Sequence, residues 1–150
     1  MYKIFIALAI VVAEAGPAIA SQETDVMAPV RQFVDGFNKR DIKMAQMACS
    51  DQSFIIDDFP PHAWAGSRAI SDWLHDLDLF EKKHGTSDPF VALGKPQHID
   101  VTNTDAYVVV LTKLSYKKKG QAVHENGLMT LVLHKGAGGW QIAAWSWADN

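Results

Sequence analysis

Six histidines and one cysteine are among the side chains of this chain that could bind a metal or carry a reaction. No two histidines stand in His-x-His or His-x-x-x-His spacing, so only the convergence of distant segments could build a metal site from them. The histidines are His62, His75, His84, His98, His124 and His134. The chain has no phosphate-binding glycine loop, nucleophile elbow or paired-cysteine motif. These patterns predict neither a metal site nor a cofactor, and Cys49, on an apolar helical stripe, is predicted to be a small core residue.

Five tryptophans form a second group of residues with a potential binding role. In the last predicted strand, simple alternation places Ala144 and Ser146 on one face and Trp145 and Trp147 on the other. Small residues leave room for a ligand, so we predict that the face of Ala144 and Ser146 borders a pocket. Aromatic side chains exposed on a sheet are typical of an interface, which favours a homodimer through the outer face of the sheet. The alternative is that other parts of the same chain cover both indoles.

Length, composition and charge limit the classes of protein to consider. The chain has 150 residues, of which 48% are hydrophobic and 21% charged, and its formal net charge is −3. These values indicate one ordinary globular domain with a substantial core and argue against a nucleic-acid partner. The only basic run, Lys117 to Lys119, is interpreted as the solvated tip of a hairpin.

The first twenty residues have the pattern of a secretory signal peptide. Lys3 precedes an apolar run from Ile4 to Val12, and a small-x-small pattern ends at Ala20, directly before Ser21. The apolar run is too short to cross a membrane as a helix. We therefore predict a signal peptide over 1–20, a mature domain over 21–150, a periplasmic or secreted location, and no stable membrane anchor after cleavage. An uncleaved N-terminal anchor is the alternative.

The elements that must position the pocket follow from hydrophobic periodicity. Apolar residues at helical spacing predict helices over 24–38 and 41–49 and a third from Ser67 to Gly85, with a short strand over 53–57 and a loop over 58–66. After Gly85 the period changes to two, which predicts four antiparallel strands over about 90–101, 106–117, 121–134 and 140–147. This order predicts an α+β fold in which helices cover one face of an antiparallel sheet.

Several short motifs, taken together, resemble the NTF2-like superfamily, which includes ketosteroid isomerase, scytalone dehydratase and the SnoaL-like polyketide cyclases. The motifs are Phe37-Asn-Lys-Arg-Asp41, Asp51-x-Ser-Phe-Ile-Ile-Asp57, Ala65-Gly-Ser-Arg-Ala-Ile70 and Gly138-Gly-Trp-Gln-Ile142. The resemblance covers about 24–148. It implies a cone in which a strongly curved antiparallel sheet wraps around the helices and leaves a pocket at its open end.

The resemblance also implies a catalytic carboxylate at Asp57, which would move a proton next to a carbonyl group. Such a base needs an apolar setting that raises its pKa, and Ile55, Ile56 and Phe59 supply apolar neighbours. The alternative is that Asp57 only ends a strand. The family's helix-one tyrosine falls on Phe33, which has no hydroxyl, so the isomerase reaction itself is disfavoured. His62 is the candidate partner of Asp57 for dehydratase-like chemistry.

Three hypotheses for function follow from this expected cone. The first is an exported module that binds a small apolar or aromatic molecule, and the second is a lyase or isomerase that uses Asp57 as general base. The third is a structural dimerisation domain whose pocket is filled by its own side chains. The predicted ligand-binding residues are Phe33, Phe37, Trp64, Trp73, Asn126, Thr130 and Ser146.

Overall fold

The computed structural model describes the backbone from Gly16 to Asn150 and the side chains from Ser21 onward. Residues 1–15, which contain most of the predicted signal peptide, lie outside the described residues. The first helix begins at Gly16 and continues across the predicted cleavage position between Ala20 and Ser21. None of the helices in the described part of the chain combines the length and the apolar character that a membrane crossing requires.

Three helices and six strands make up the described residues, in an α+β arrangement that confirms the predicted fold class. The helices are α1 (Gly16–Asn38), α2 (Ile42–Met47) and α3 (Ala69–His84). The strands are β1 (Cys49–Ile56), β2 (Ala63–Gly66), β3 (Thr86–Val101), β4 (Asp105–Lys118), β5 (Gln121–Gly136) and β6 (Gly139–Asp149). They form one sheet in the order β2-β1-β6-β5-β4-β3, in which every neighbouring pair is antiparallel except β1 with β6.

Helix α1 packs on the sheet through its apolar stripe. Val26, Val30 and Phe33 of this stripe are almost completely buried. At the end of the helix, the Asn38 side chain donates to the main-chain oxygen of Val91 and accepts from its N–H, both at 2.8 Å. This pair of bonds satisfies main-chain groups of β3 and fixes the helix end against that strand.

The predicted helix ends agree with the structure where a capping residue marks them. Asp41 accepts a hydrogen bond from the Met44 N–H at 2.9 Å and caps α2, as predicted. Gly85 has a left-handed φ of 67° and ends α3, which is the usual role of glycine at that position. The predicted cap at Ser67 is wrong, because α3 begins at Ala69 after Arg68, which makes no side-chain capping bond.

The segment between α2 and α3 differs from the prediction. Strand β1 already begins at Cys49, whose side chain is buried, and burial raises the pKa of that thiol to about 12. Part of the predicted loop is strand β2, which pairs antiparallel with β1 from Ser53↔Gly66 to Ile56↔Ala63. The two strands form a hairpin, and only the residues between them remain a loop.

A β-bulge in β6 overturns the predicted placement of Trp145 and Trp147. Ile142 pairs with Leu133 while Ala144 pairs with Val132, so Ala143 is an extra residue between them. One extra residue interrupts the alternation of faces. Ile142 and Trp145 are consequently both buried on the inner face, and Trp147 packs against the same core. The prediction that the two indoles lie outside is therefore wrong.

Candidate functional site

The inner face of the sheet, α1 and α3 enclose a cavity of about 290 Å³. Its buried wall carries mainly aromatic side chains, and its more exposed wall carries charged ones. The volume lies at the lower limit of ligand pockets, which usually measure about 300–1,000 Å³. The cavity is therefore suited to a small molecule.

Asp57 lies in the cavity wall directly after β1. Its main-chain N–H donates to the His62 oxygen at 3.1 Å, which closes the loop between β1 and β2. One carboxylate oxygen accepts from the Trp73 indole N–H and the other from the Asp58 main-chain N–H, both at 2.8 Å. Two donors on different segments thus fix the orientation of the carboxylate.

The environment of Asp57 shifts its acidity into the neutral range. Burial raises the pKa of Asp57 from 3.8 to about 7, although the hydrogen bonds from Trp73 and from the Asp58 main chain act in the opposite direction. A carboxylate with such a pKa exists in both protonation states near neutral pH. It can accept a proton and release it again, as a general base must.

Four aromatic rings pack together behind Asp57. The Trp73 ring lies 5.7 Å from Phe37 and 6.1 Å from Phe33, and it meets Trp145 edge-on at 5.0 Å between centroids. Phe33 also lies 5.4 Å from Trp145. All four rings line the cavity, so this wall offers an apolar surface that suits a flat or apolar ligand.

The exposed wall of the cavity is acidic. Asp58, Glu125 and Asp149 line it, and the Tyr116 hydroxyl donates to Glu125 at 2.7 Å. Burial raises the pKa of Asp58, and the charges of Asp149 and Glu125 raise it further. The bond to Glu125 raises the pKa of Tyr116 to about 12, so this hydroxyl remains protonated near neutral pH.

Phe33, Phe37, Asp57 and Trp73 converge on the cavity, as the sequence analysis expected. They come from α1, from the residue after β1 and from α3. Their placement agrees with the prediction, and their roles in binding or catalysis remain predictions.

Trp64 and His62 do not line the cavity. The Trp64 ring packs behind Phe59 at 5.0 Å, and its N–H donates to Asp76 at 2.8 Å, so Trp64 is a core residue outside the cavity lining. His62 is exposed, and its Nδ1 lies 3.2 Å from the main-chain oxygen of Asp57 rather than from the carboxylate. The imidazole is outside the cavity lining, and the proposed pair with the Asp57 carboxylate does not form.

Asn126, Thr130 and Ser146 were also predicted in the pocket and lie on the outer face instead. In β5, Gly127 and Met129 face the core, so alternation directs Asn126 and Thr130 outward. Thr130 is paired with Ser146, which the bulge in β6 has moved to the same outer face. These placements are corrections: the extra residue in β6 accounts for Ser146, whereas Asn126 and Thr130 follow the regular alternation of β5.

Sequence reasoning missed several cavity residues of the long strands. Tyr116, Glu125, Met129 and Trp147 line the cavity from β4, β5 and β6. One signal for Trp147 was available, because a side chain at Gly127 would overlap its indole ring. A lone glycine inside a strand often marks such a close approach.

Among the described residues, no group of three or more His, Cys, Asp or Glu side chains is arranged to hold a metal ion.

The architecture is similar to that of solved structures with low sequence identity. A ketosteroid isomerase-like protein from Erwinia carotovora atroseptica has a TM-score of 0.65 and 18% identity, over 84% of this chain and 94% of that one. An NTF2-like superfamily protein from Salmonella enterica has a TM-score of 0.70 and 16% identity, over 89% and 93%. A hexachlorocyclohexane dehydrochlorinase from Novosphingobium barchaimii has a TM-score of 0.74 and 10% identity, over 88% of each chain.

The sequence matches no protein-family model and no curated protein. At such low identity, structural similarity establishes the fold and leaves the activity open, because this kind of fold serves many functions. The expectation raised by the sequence motifs is confirmed for the architecture: the chain has the NTF2-like fold, with helices packed on a mostly antiparallel six-stranded sheet.

Proposed function

We propose that this domain is a lyase or isomerase that holds a small apolar or aromatic substrate in the cavity and uses Asp57 as general base. The observation that carries the proposal is the setting of that carboxylate. It borders an aromatic cavity, two N–H groups orient it, and burial raises its pKa to about 7. A base whose pKa lies near the working pH is the most effective in proton transfer.

The dehydrochlorinase among the solved structures supports the same class of reaction. Loss of hydrogen chloride requires that a base remove a proton from one carbon and that chloride leave the neighbouring carbon as the double bond forms. A fold that positions a carboxylate against an apolar cavity is compatible with that step. The low identity transfers no residue role and no substrate to this chain.

Deuterium incorporation at carbon in D₂O tests the proposal without knowledge of the natural substrate. A panel of small cyclic ketones, alcohols and halogenated hydrocarbons is incubated with the protein and followed by NMR. We expect one compound class to react, the ketones by exchange or the alcohols and halides by loss of water or hydrogen halide, with a rate that rises through a pKa near 7. Asp57→Asn should slow it by about 10² to 10⁴-fold, the usual contribution of a general base.

Asp76→Asn is the matched control, because Asp76 accepts from the Trp64 indole at 2.8 Å as Asp57 accepts from Trp73, but outside the cavity lining. This variant should retain exchange. Equal rates in wild type and Asp57→Asn, or neither exchange nor elimination in any compound that binds, would contradict a catalytic Asp57.

A binding module without catalysis is the second candidate. It is favoured by the lack of a His62 contact to the Asp57 carboxylate, which leaves the carboxylate without the imidazole partner expected for dehydratase-like chemistry. In that case the compounds would raise the melting temperature, because a ligand that binds only the folded state stabilises it. Asp57→Asn would then alter affinity while no variant, wild type included, would exchange carbon-bound hydrogen.

We also propose that the outer face of the sheet forms a homodimer, now without the two tryptophans. Strand register places Phe54, Val132 and Tyr107 in one row across the sheet, with exposed fractions of 43%, 37% and 43%. Ile56 lies beside this row and is 48% exposed. A contiguous apolar patch of this kind is typical of an interface.

Sedimentation of Phe54→Glu with Val132→Glu tests the dimer. Both changes place a charge in the proposed interface, so a dimeric parent should become a folded monomer. Leu79→Glu is the control, since Leu79 is 51% exposed on α3, away from the sheet. A monomeric parent, or an unchanged sedimentation coefficient in the double variant, would contradict the interface.

Export is a further proposal, and it depends on the signal-peptide pattern of the first twenty residues. Mass spectrometry of the protein from its native host should find an N-terminus at Ser21 in the extracytoplasmic fraction. A cytoplasmic protein that begins at Met1 would contradict it.

A further inference from the structure

The Trp145 indole N–H is a buried donor without an acceptor. Its Nε1 is the only buried side-chain nitrogen or oxygen among the described residues that lacks a hydrogen-bond partner. The side chain is 4% exposed and lines the cavity. An unpaired polar group in the interior is costly, and a native protein that keeps one usually has a use for it.

Three other indoles of the core, those of Trp64, Trp73 and Trp147, have acceptors. Trp73 donates to Asp57 at 2.8 Å, and Trp147, also in the cavity wall, donates to the Thr112 hydroxyl at 3.0 Å. Trp64 donates to Asp76 at 2.8 Å. Among these four indoles, only that of Trp145 lacks an acceptor.

We propose that Trp145 is the specificity-determining donor of the cavity and binds an oxygen acceptor of the ligand. This inference rests on the proposed function in one respect, namely that the cavity is the binding site. The Trp145 ring borders the cavity while its Nε1 is shielded from solvent, so the proposed bond requires the indole to turn its N–H toward the bound molecule. The ligand then supplies the acceptor that the protein lacks.

The charges around the cavity define the ligand further. Asp57, Asp58, Glu125 and Asp149 all line it, so an anionic acceptor would meet like charge. The cationic side chain in the lining, Lys118, is exposed at the edge. The preferred acceptor is therefore an uncharged oxygen, such as a ketone, on an otherwise apolar or aromatic molecule.

Affinities for matched pairs of compounds test this inference. Acetophenone is compared with ethylbenzene, and 1-tetralone with tetralin, so that each pair differs by one carbonyl group. The ketone of each pair should bind the wild type about tenfold more tightly than it binds Trp145→Phe. The hydrocarbon should bind the two proteins with equal affinity. The indole ¹H–¹⁵N signal that is lost in Trp145→Phe should move downfield when the ketone binds.

Trp147→Phe is the matched control, because Trp147 lies two residues along the same strand and faces the same cavity, but its N–H is already bonded to Thr112. This variant should keep the preference for ketones. Wild-type protein that binds ketones no better than hydrocarbons, including protein that binds neither, overturns the inference. A preference that survives in Trp145→Phe overturns it as well.

The experiment separates this inference from the proposed catalysis. Its readout is affinity, so Asp57→Asn should retain the ketone preference even if Asp57 proves not to be a base. Conversely, loss of exchange in Asp57→Asn together with an unchanged ketone preference in Trp145→Phe would support the catalytic proposal and reject the role of Trp145.

Discussion

The two walls of the cavity differ in the side chains that form them. The buried wall places Phe33, Trp73 and Trp145 in mutual ring contact, with a single carboxylate, Asp57, held among them. The exposed wall groups several carboxylates, among them Glu125 and Asp149, near solvent. The same type of side chain thus meets two environments within one cavity.

This difference explains why neighbouring aspartates have different roles in our proposal. Asp57 lies against the aromatic wall, where burial dominates and raises its pKa to about 7. Asp58 is more exposed; burial is again the largest cause of its raised pKa, and the charges of Asp149 and Glu125 raise it further. Burial is therefore the largest cause of the raised pKa in both walls, and the charges of Asp149 and Glu125 are a further cause at Asp58.

Removal of the Trp73 side chain should have the largest effect on the buried wall. Trp73→Ala deletes a ring that contacts Phe33, Phe37 and Trp145, so we expect the unfolding free energy to fall by about 3–5 kcal/mol. Tyr116→Ala, the comparable deletion in the exposed wall, should cost less because Tyr116 is only half-buried. Urea denaturation measures both, and equal losses would remove the energetic distinction between the walls.

The second-largest effect should be a change in the pH dependence of stability in Asp57→Asn. The folded-state pKa of Asp57 is raised to about 7 from 3.8, so the folded protein binds more protons than the unfolded chain in that window. Wild-type stability from this group is therefore present at low pH and is lost as the pH rises toward 7. The stability of Asp57→Asn relative to wild type should increase by roughly 2–4 kcal/mol between pH of about 4 and pH of about 8.

Denaturation of both proteins at a series of pH values measures this difference. A difference that stays constant with pH would show that the two carboxyl states of Asp57 are equally tolerated in the fold. The aromatic wall would then not desolvate Asp57.

A smaller effect is expected for Trp73→Phe, which keeps an aromatic ring but removes the N–H that bonds to Asp57. That bond lowers the pKa of Asp57, so its loss should raise the pKa further, by about one unit. A ¹³C NMR titration of the carboxyl group measures the shift. Trp64→Phe is the control, since it removes the bond to Asp76 and should leave Asp57 unchanged; equal titration curves for Asp57 in wild type and Trp73→Phe would contradict the prediction.

The smallest effect should come from the exposed wall. The negative charge of Asp58 raises the pKa of Asp57, so Asp58→Asn should lower that pKa, by less than about one unit because solvent screens the interaction. The same titration, repeated at high salt, should show a smaller change. A decrease as large as the increase in Trp73→Phe would mean that charge, rather than desolvation, governs Asp57.

Much of the fold followed from the sequence because its signals are local. The alternating segments after Gly85 predicted four long strands, and the structure has β3 to β6 in those positions. Asp41 and Gly85 marked helix ends through their own backbone chemistry. The short strand β2 was missed, since four residues in a loop rich in turn formers acquire strand geometry only by pairing with β1.

In the candidate site, residues on helices were easier to place from the sequence than residues on strands. Phe33, Phe37 and Trp73 line the cavity because helical spacing directs them to the core, whereas the predicted residues of β5 and β6 lie on the outer face. Strand alternation has a period of two, so a single misjudged residue exchanges all inner and outer positions beyond it. The bulge at Ala143 had this effect on Trp145 and Ser146.

The sequence by itself determined the three helices and the four long strands, and that an aspartate ends a strand beside apolar residues, because these features depend on neighbours in the chain. Only the tertiary structure decided which indoles face the cavity, that Trp73 holds Asp57, and that Trp145 has no acceptor. The bulge and these contacts depend on pairing between segments distant in sequence, such as the 16 residues that separate Asp57 from Trp73. Burial is a property of the assembled walls, and for that reason the pKa of Asp57 is set by the fold.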